Sequence, residues 1–263
     1  MEALTVSSPW PGAPVYFKKR TTSTMEDARR LFASGCPDGT VVLTDFQTKG
    51  RGRFAERSWS AAAGKNLLFT LVLRGEPGPH GFSLNARRLP LLAGLAAAQC
   101  VEQIYGLTVQ LKWPNDLLVK GKKLAGILCE ALVQGSSLGF LAGIGLNCNQ
   151  KTFPPELETR ATSLTRILGR PVDIPDLLQE LLQKLKASLA DEDWREKVMD
   201  RLYGLGAEAV LLSGAGGASQ PGSEQIGLVL GVNPDGSLLF QPENAGPRSV
   251  YAGEIRFVTA CEP

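Results

Sequence analysis

Three short runs hold the residue types that do chemistry. The first is Gln47-Thr48-Lys49-Gly50-Arg51-Gly52-Arg53. Alternating Gly and Arg lets the backbone come close to a ligand while two guanidiniums point at it. Arg presents a planar fork to phosphate or carboxylate, and N–H groups in such a loop can hold an anion. A solvated basic loop, or an Arg-Gly segment that binds nucleic acid, would carry the same residues. The second run is Lys112-Trp113-Pro114-Asn115-Asp116, followed by Lys122-Lys123-Leu124-Ala125-Gly126-Ile127-Leu128. Asn and Asp after a proline can make a plain turn, and the lysines can sit on an exposed hairpin tip. Yet Lys112, Asp116, Lys122 and Lys123 place charge beside strands that read as buried, where a cation needs an anion. The third run is Gly143-Ile144-Gly145-Leu146-Asn147-Cys148-Asn149. Glycine inside a strand marks close approach of another backbone or a ligand; a strand end closed by an Asn turn reads the same way.

The elements around these runs must position them. Ser23-Thr24-Met25-Glu26 reads as a helix start, with Ser23 as the cap and Glu26 reaching back. Ala28, Leu31 and Phe32 give that helix an apolar face, and Gly35 stops it. Val41 to Phe46 and Asn66 to Leu73 read as strands, the second apolar on both faces. The Gln47 to Lys65 connection between them is long for a mere loop, and loops of that length tend to be functional. A helix is expected from about Pro90 to Tyr105, with Pro90 in its first turn. Strands follow at Val109 to Lys112, Leu117 to Val119, Leu124 to Val133 and Leu138 to Leu146, with turns at Gly121 and at Gly135-Ser136-Ser137. Leu177, Leu178, Leu181, Leu182, Leu185 and Leu189 recur at helical spacing after Pro175, and a second helix is read from Trp194 to Tyr203. Beyond it the composition changes. Short strands at Ala209 to Leu212, Gln225 to Val232, Ser237 to Gln241, Arg248 to Tyr251 and Ile255 to Val258 surround a Gly/Ala/Ser-rich run, Ser213 to Ser223. Few strand–helix–strand alternations and many meander-like pairs predict an α+β fold with a mixed, largely antiparallel sheet and flanking helices, not a doubly wound one.

Composition narrows the function classes. The 263 residues are 43% hydrophobic and 21% charged, enough for a packed core. A net charge of +2, without a long basic run, predicts no nucleic-acid partner. No apolar stretch approaches the ~20 residues that span a bilayer, and the N-terminus lacks a signal-peptide pattern, so no membrane role is expected. Cys36, Cys100, Cys129, Cys148 and Cys261 are odd in number and not spaced like metal ligands. They predict reduced thiols and a cytoplasmic protein.

Taken together and in this order across Ser23 to Asn149, the runs resemble the catalytic domain of biotin protein ligases. Ser23-Thr24-Met25 matches the family's Ser-Thr-Asn element, with Met25 in place of Asn. Gln47 to Arg53 matches its QTxGRGR loop, with Trp59 one residue further on than is typical. Lys112 to Asp116 and Lys123 to Leu128 match its KWPND element and the Lys before Leu-Ala-Gly-Ile-Leu, and Gly143 to Asn149 matches its GIGxNxN strand. The C-terminal strands resemble the family's SH3-like barrel. The resemblance implies a class II synthetase-like catalytic domain over 1–205 and a small β domain over 206–263. It implies an ATP-dependent ligase that makes biotinyl-5'-AMP and passes biotin to a lysine of a biotin carboxyl carrier protein or domain of a biotin-dependent carboxylase. Lys123 and Arg53 would be catalytic. Ser23, Thr24, Gln47, Gly50, Arg51, Gly52, Arg53, Lys123 and Gly126 would bind biotin. Arg51, Arg53, Trp59, Lys112, Asn115, Asp116, Lys123 and Asn147 would bind ATP and the adenylate. Mg2+ would bridge phosphate oxygens, with Asp116 the nearest carboxylate by motif. Only about 20 residues precede Ser23, which implies the monofunctional type without a winged-helix domain. Lipoate or octanoate ligases share the fold, and the Gln47 to Arg53 run favours biotin. Monomer and homodimer both stay open.

Overall fold

The computed structural model describes residues 2–3, 6–54, 58–75, 81–135, 137–212 and 224–257. Strands β1 (Glu2–Ala3) and β2 (Val15–Lys18) precede helix α1 (Thr24–Ala33), then β3 (Val41–Thr44) and β4 (Leu67–Gly75). Helix α2 (Gly81–Tyr105) leads to β5 (Gln110–Lys112), β6 (Asp116–Val119), β7 (Lys122–Gln134) and β8 (Ser137–Leu146). Helices α3 (Leu164–Leu168), α4 (Ile174–Leu189) and α5 (Trp194–Met199) follow. The chain ends in β9 (Glu208–Leu212), β10 (Glu224–Val232), β11 (Leu238–Pro242), β12 (Arg248–Val250) and β13 (Glu254–Phe257).

Strands β1 to β8 form one sheet in the order β1-β2-β3-β4-β8-β7-β6-β5, and β9 to β13 form a second, antiparallel one. In the large sheet only β2 and β3 pair in parallel, because α1 carries the chain back between them. The α+β expectation therefore holds, with a mixed, largely antiparallel sheet.

Side-chain alternation divides this sheet into two faces. One face, with Phe69, Leu71, Ile127 and Ile144, packs against α2 and the leucine stripe of α4 in the main core. The other face packs under α1, where Met25, Ala28 and Phe32 meet Val42, Val72 and Leu141. Asp27 anchors α1 to β2: its carboxylate, only 3% exposed, takes the Lys18 ammonium at 2.7 Å and the Thr21 hydroxyl at 2.6 Å. A buried carboxylate without those donors would be costly.

Several local expectations differ from the structure. Helix α2 starts at Gly81, so Pro90 lies in its interior rather than in its first turn. One i→i−4 hydrogen bond is given up there. Packing of the following run, with Leu91, Leu92, Leu95 and Ala96 all buried, outweighs that loss. The second late helix stops at Met199, and the chain to Tyr203 turns to lay Leu202 beside Leu111 of β5. Ser23 occupies the cap position of α1 but its hydroxyl makes no cap bond, and Glu26 pairs with arginines instead of reaching back. Strand β2 begins with Val15-Tyr16-Phe17, β-branched and aromatic residues that suit a strand. Part of the 47–65 loop, Ser136, the Ser213 to Ser223 run, Val258 and Cys261 lie outside the described residues.

Helix α1 sits close to the sheet because Gly139 has no Cβ. An added Cβ would lie 2.4 Å from the Phe32 ring and 2.6 Å from the Leu73 carbonyl. Gly139→Ala is expected to cost about 1–3 kcal/mol by overpacking. The readout is a thermal midpoint several degrees lower, with Gly246→Ala, where a Cβ would meet nothing within 4 Å, as the control. Equal midpoints for the two variants would contradict the packing argument.

Candidate active site

The α1 side of the sheet runs out of cover at one end, and the site lies there. Cross-strand partners share a face. The pairs Gly126↔Gly145 and Leu128↔Gly143 therefore set three glycines together on adjacent strands β7 and β8. Their missing side chains leave a floor on which other groups lie flat. A Cβ at Gly143 would lie 2.7 Å from the Met25 sulfur. One at Gly145 would lie 2.6 Å from the Trp59 indole, and one at Gly126 2.9 Å from it.

Trp59 reaches this floor because the loop folds back on itself. Its N–H donates to the Gly50 carbonyl at 3.0 Å, and Arg51 bridges to Ser58 in antiparallel fashion. Gly50 is held in that crossing: a Cβ would sit 2.5 Å from the Trp59 carbonyl. Gly50 therefore lies outside the cleft lining. Gly52, Arg51 and Arg53 are in it.

The cleft holds about 1220 Å³ and runs from the glycine floor to the second sheet. At its inner end Gln47 accepts the Thr24 N–H at 2.8 Å and the Thr24 hydroxyl at 3.2 Å, while Thr70 donates to Thr24 at 2.8 Å. Ser23 joins them, buried, with no partner for its hydroxyl among the described residues. The Trp59 indole N–H is likewise buried without an acceptor. Two orphaned polar atoms in one cleft are what a site for a polar ligand would leave.

Asp116 and Lys123 face each other across the β6–β7 pair. A register shift between Leu117 and Leu118 brings them together, and the Lys123 ammonium lies 2.6 Å from Asp116 Oδ1. The same ammonium stands 5.7 Å from the Trp59 ring centre. Among the described lining residues, six basic side chains face three acidic ones, although the whole chain carries only +2. The cleft is thus a positive focus in a near-neutral protein, suited to an anion.

Several sequence-selected residues turn out to brace the site. Asn115 donates its side-chain amide to the Ile127 carbonyl at 2.7 Å and stitches β6 to β7. Asn147 donates to the Thr162 carbonyl at 3.0 Å. Both also line the cleft, as do Lys112 and Gly126.

Two partnerships were not legible in the sequence. Arg51 lies 3.0 Å from Glu26 and 3.6 Å from Glu130, and Arg29 bridges the same two carboxylates. The Arg29 hydrogen bond holds the Glu26 carboxyl below its ordinary value. The second partnership joins the two sheets. Arg53 donates to the Gly253 carbonyl at 2.5 Å, just ahead of β13, whose Glu254, Arg256 and Phe257 line the cleft. Trp113 adds a further tie, donating its indole N–H to the Gly236 carbonyl at 3.2 Å. No local sequence signal points to contacts of that range. Among the described residues no group of three or more His, Cys, Asp or Glu side chains could hold a metal alone.

A sequence model of the biotin/lipoate A/B protein ligase family matches residues 17–147. A biotin–[acetyl-CoA-carboxylase] ligase of Paracoccus denitrificans is 32% identical over 250 residues, covering 90% of this chain and 98% of the relative. The chain belongs to this family. The bifunctional ligase/repressor of Bacillus subtilis is 32% identical over 241 residues, 89% of this chain and 71% of its own length. Among solved structures, a biotin protein ligase from Aquifex aeolicus in complex with biotin and ATP superposes with a TM-score of 0.76 at 29% identity, covering 92% of this chain and 97% of that one. The family match spans β2 to β8 and so contains the glycine floor, the loop and the Asp116–Lys123 pair. The cleft walls at 153–161 and in β13 lie beyond it.

Exposed ion pairs are each worth about 0.2–1 kcal/mol. Glu26→Gln with Glu130→Gln should therefore release Arg51 and loosen the loop. Tryptic cleavage after Arg51 and Arg53 is expected to quicken several-fold, by about that combined energy. An unchanged rate would mean that the carboxylates do not hold the loop.

Proposed function

We propose that this chain is a biotin protein ligase, which forms biotinyl-5'-AMP from biotin and ATP and transfers biotin to a lysine of a biotin carboxyl carrier protein or domain. The observation that carries the reading is the Lys123 ammonium, paired with Asp116 beside Trp59 and the glycine floor, within a positive cleft.

A carboxylate is a poor acyl donor to an amine at neutral pH, since its leaving group is poor. Adenylation replaces that leaving group with AMP. A biotin carboxylate oxygen attacks the α-phosphorus of ATP, the bond to the bridging oxygen of the β-phosphate breaks, and pyrophosphate leaves with the electron pair. The carrier amine then attacks the acyl carbon, loses a proton, and AMP departs.

The first step brings two anions together, so the site must neutralise both and hold them in line. Lys123 is the residue for the carboxylate and α-phosphate. Its pairing with Asp116 aims the ammonium before substrate arrives. Ser23, Thr24 and Gln47 form the polar end that suits a ureido ring, and the unpartnered Ser23 hydroxyl is free to bond it. Gly52 offers backbone beside that end, and Gly126 leaves room over the sheet. Arg51 and Arg53 supply guanidiniums from the loop, with Lys112 across the cleft. Trp59 offers an aromatic face to the adenine, and Asn115 and Asn147 hold the strands beneath.

Mg2+ fits this donor set. Asp116 Oδ1 is buried, with the Lys123 ammonium 2.6 Å away as its charge partner. Magnesium is usually held by one or two carboxylates together with substrate phosphates. Asp116 would hold it, and the ion would supply neutralisation of phosphate charge.

The direct test is Mg-ATP-dependent pyrophosphate release with biotin, lipoate and octanoate in parallel. Release with biotin alone is expected; release only with the other two would move the chain to the lipoate side of the family. Lys123→Gln is expected to abolish adenylate formation, and near-normal release by the variant would sink its role. Arg53→Gly removes the tether to Gly253 and is expected to leak adenylate, seen as biotin on bystander proteins. Retained specificity would count against that assignment.

A further inference from the structure

We infer that Arg160 binds the departing pyrophosphate, as a phosphate-binding residue of the first half-reaction. The inference rests on the reading of the cleft as an adenylate-forming site.

Arg160 is fixed beside Lys123 through the backbone. The Lys123 N–H donates to the Arg160 carbonyl at 2.8 Å, and the Thr162 N–H donates to the Lys123 carbonyl at 2.9 Å. Lys123 and Ala161 form an isolated parallel bridge, which ties the end of the 155–160 turn to the start of β7. The side chain of Arg160 lines the same cleft as Lys123 and is exposed.

The turn that presents it is built before any ligand arrives. Arg160 donates to the Leu157 carbonyl at 3.0 Å, and Leu157 to the Pro154 carbonyl at 2.8 Å. Glu158 braces the turn by accepting the Phe153 N–H at 3.1 Å and pairing with Arg166. Arg166 in turn donates to the Lys151 carbonyl at 2.8 Å and stacks 5.0 Å over the Phe153 ring. That Arg166 hydrogen bond holds the Glu158 carboxyl below its ordinary value.

Charge then decides the role. The guanidiniums and ammonium that chemistry assigns to the carboxylate and α-phosphate are already committed: Arg51 to Glu26 and Glu130, Arg53 to Gly253, Lys123 to Asp116. Arg160 forms no ion pair or side-chain hydrogen bond among the described residues. Bond cleavage at the α-phosphorus moves charge onto the β- and γ-phosphates. A fork-shaped cation in reserve on the wall of the same cleft matches that product.

The experiment compares the intact chain with Arg160→Ala and Arg160→Lys. It measures biotin-dependent exchange of labelled pyrophosphate into ATP, and separately the transfer of preformed biotinyl-5'-AMP to a recombinant biotin carboxyl carrier domain. Arg160→Ala is expected to raise KM for pyrophosphate on the order of 10- to 100-fold, the loss typical of one charge-assisted contact. Arg160→Lys should recover part of that loss, and transfer from the preformed adenylate should stay unchanged. Normal exchange in both variants, with an active unsubstituted chain, overturns the proposal. Normal exchange with a raised KM for the carrier overturns it too, in favour of Arg160 contacting an acidic face of the carrier. Absence of biotin-dependent exchange in the unsubstituted chain would sink the reading of the site itself. Equal thermal midpoints separate a binding effect from a folding one.

Discussion

Adjacent strands that carry no Cβ at Gly126, Gly143 and Gly145 are the constraint on which the rest of the site depends. A sheet face normally presents a layer of side chains to its cover. Here the layer is absent at one end, so Met25 and Trp59 lie directly on the backbone. The cleft opens between the two. Its depth follows from three missing methyl groups, and its length follows from the place where α1 begins. Any side chain on this floor would collide with a residue that the fold has already positioned.

The charged groups are organised around that floor by pairing. Asp116 accepts Lys123, Glu26 and Glu130 accept Arg51, and a carbonyl of the second sheet accepts Arg53. Each pairing aims a cation without cancelling the positive balance of the cleft. Reorganising solvent or side chains during bond-making costs free energy, and a site aimed beforehand avoids it. Residues selected on motif grounds divide accordingly. Lys123, Arg51 and Arg53 face the cleft with charge, whereas Asn115 and Asn147 spend their amides on neighbouring carbonyls and keep strands in register.

The second sheet belongs to the same site through particular contacts. Gly253 and Gly236 supply carbonyls to Arg53 and Trp113, and β13 closes the cleft wall. The loop, the KWPND turn and the C-terminal strands are therefore mechanically linked. Among the described residues no helix is long and apolar enough to cross a membrane.

Much was legible in the sequence because the information is local. Period-two and period-3.6 patterns gave most strands and the α4 stripe, and turn residues marked their ends. Glycines at 143 and 145 announced a close approach, although not by which partner. Helix α2 defeated the local rule for Pro90 because burial along the rest of the helix outweighs one lost hydrogen bond. Ser23 looked like a cap, but its hydroxyl is withheld from the helix and left facing the cleft. The sequence alone determined the chemistry on offer: which cations, which acid and which bare strand positions exist, and in what order. Only the tertiary structure decided their partners. Arg53 meets a carbonyl 200 residues away and Arg29 a carboxylate 101 residues away. Pairings of that range arise from how the sheets and helices pack, and no spacing rule along the chain encodes them.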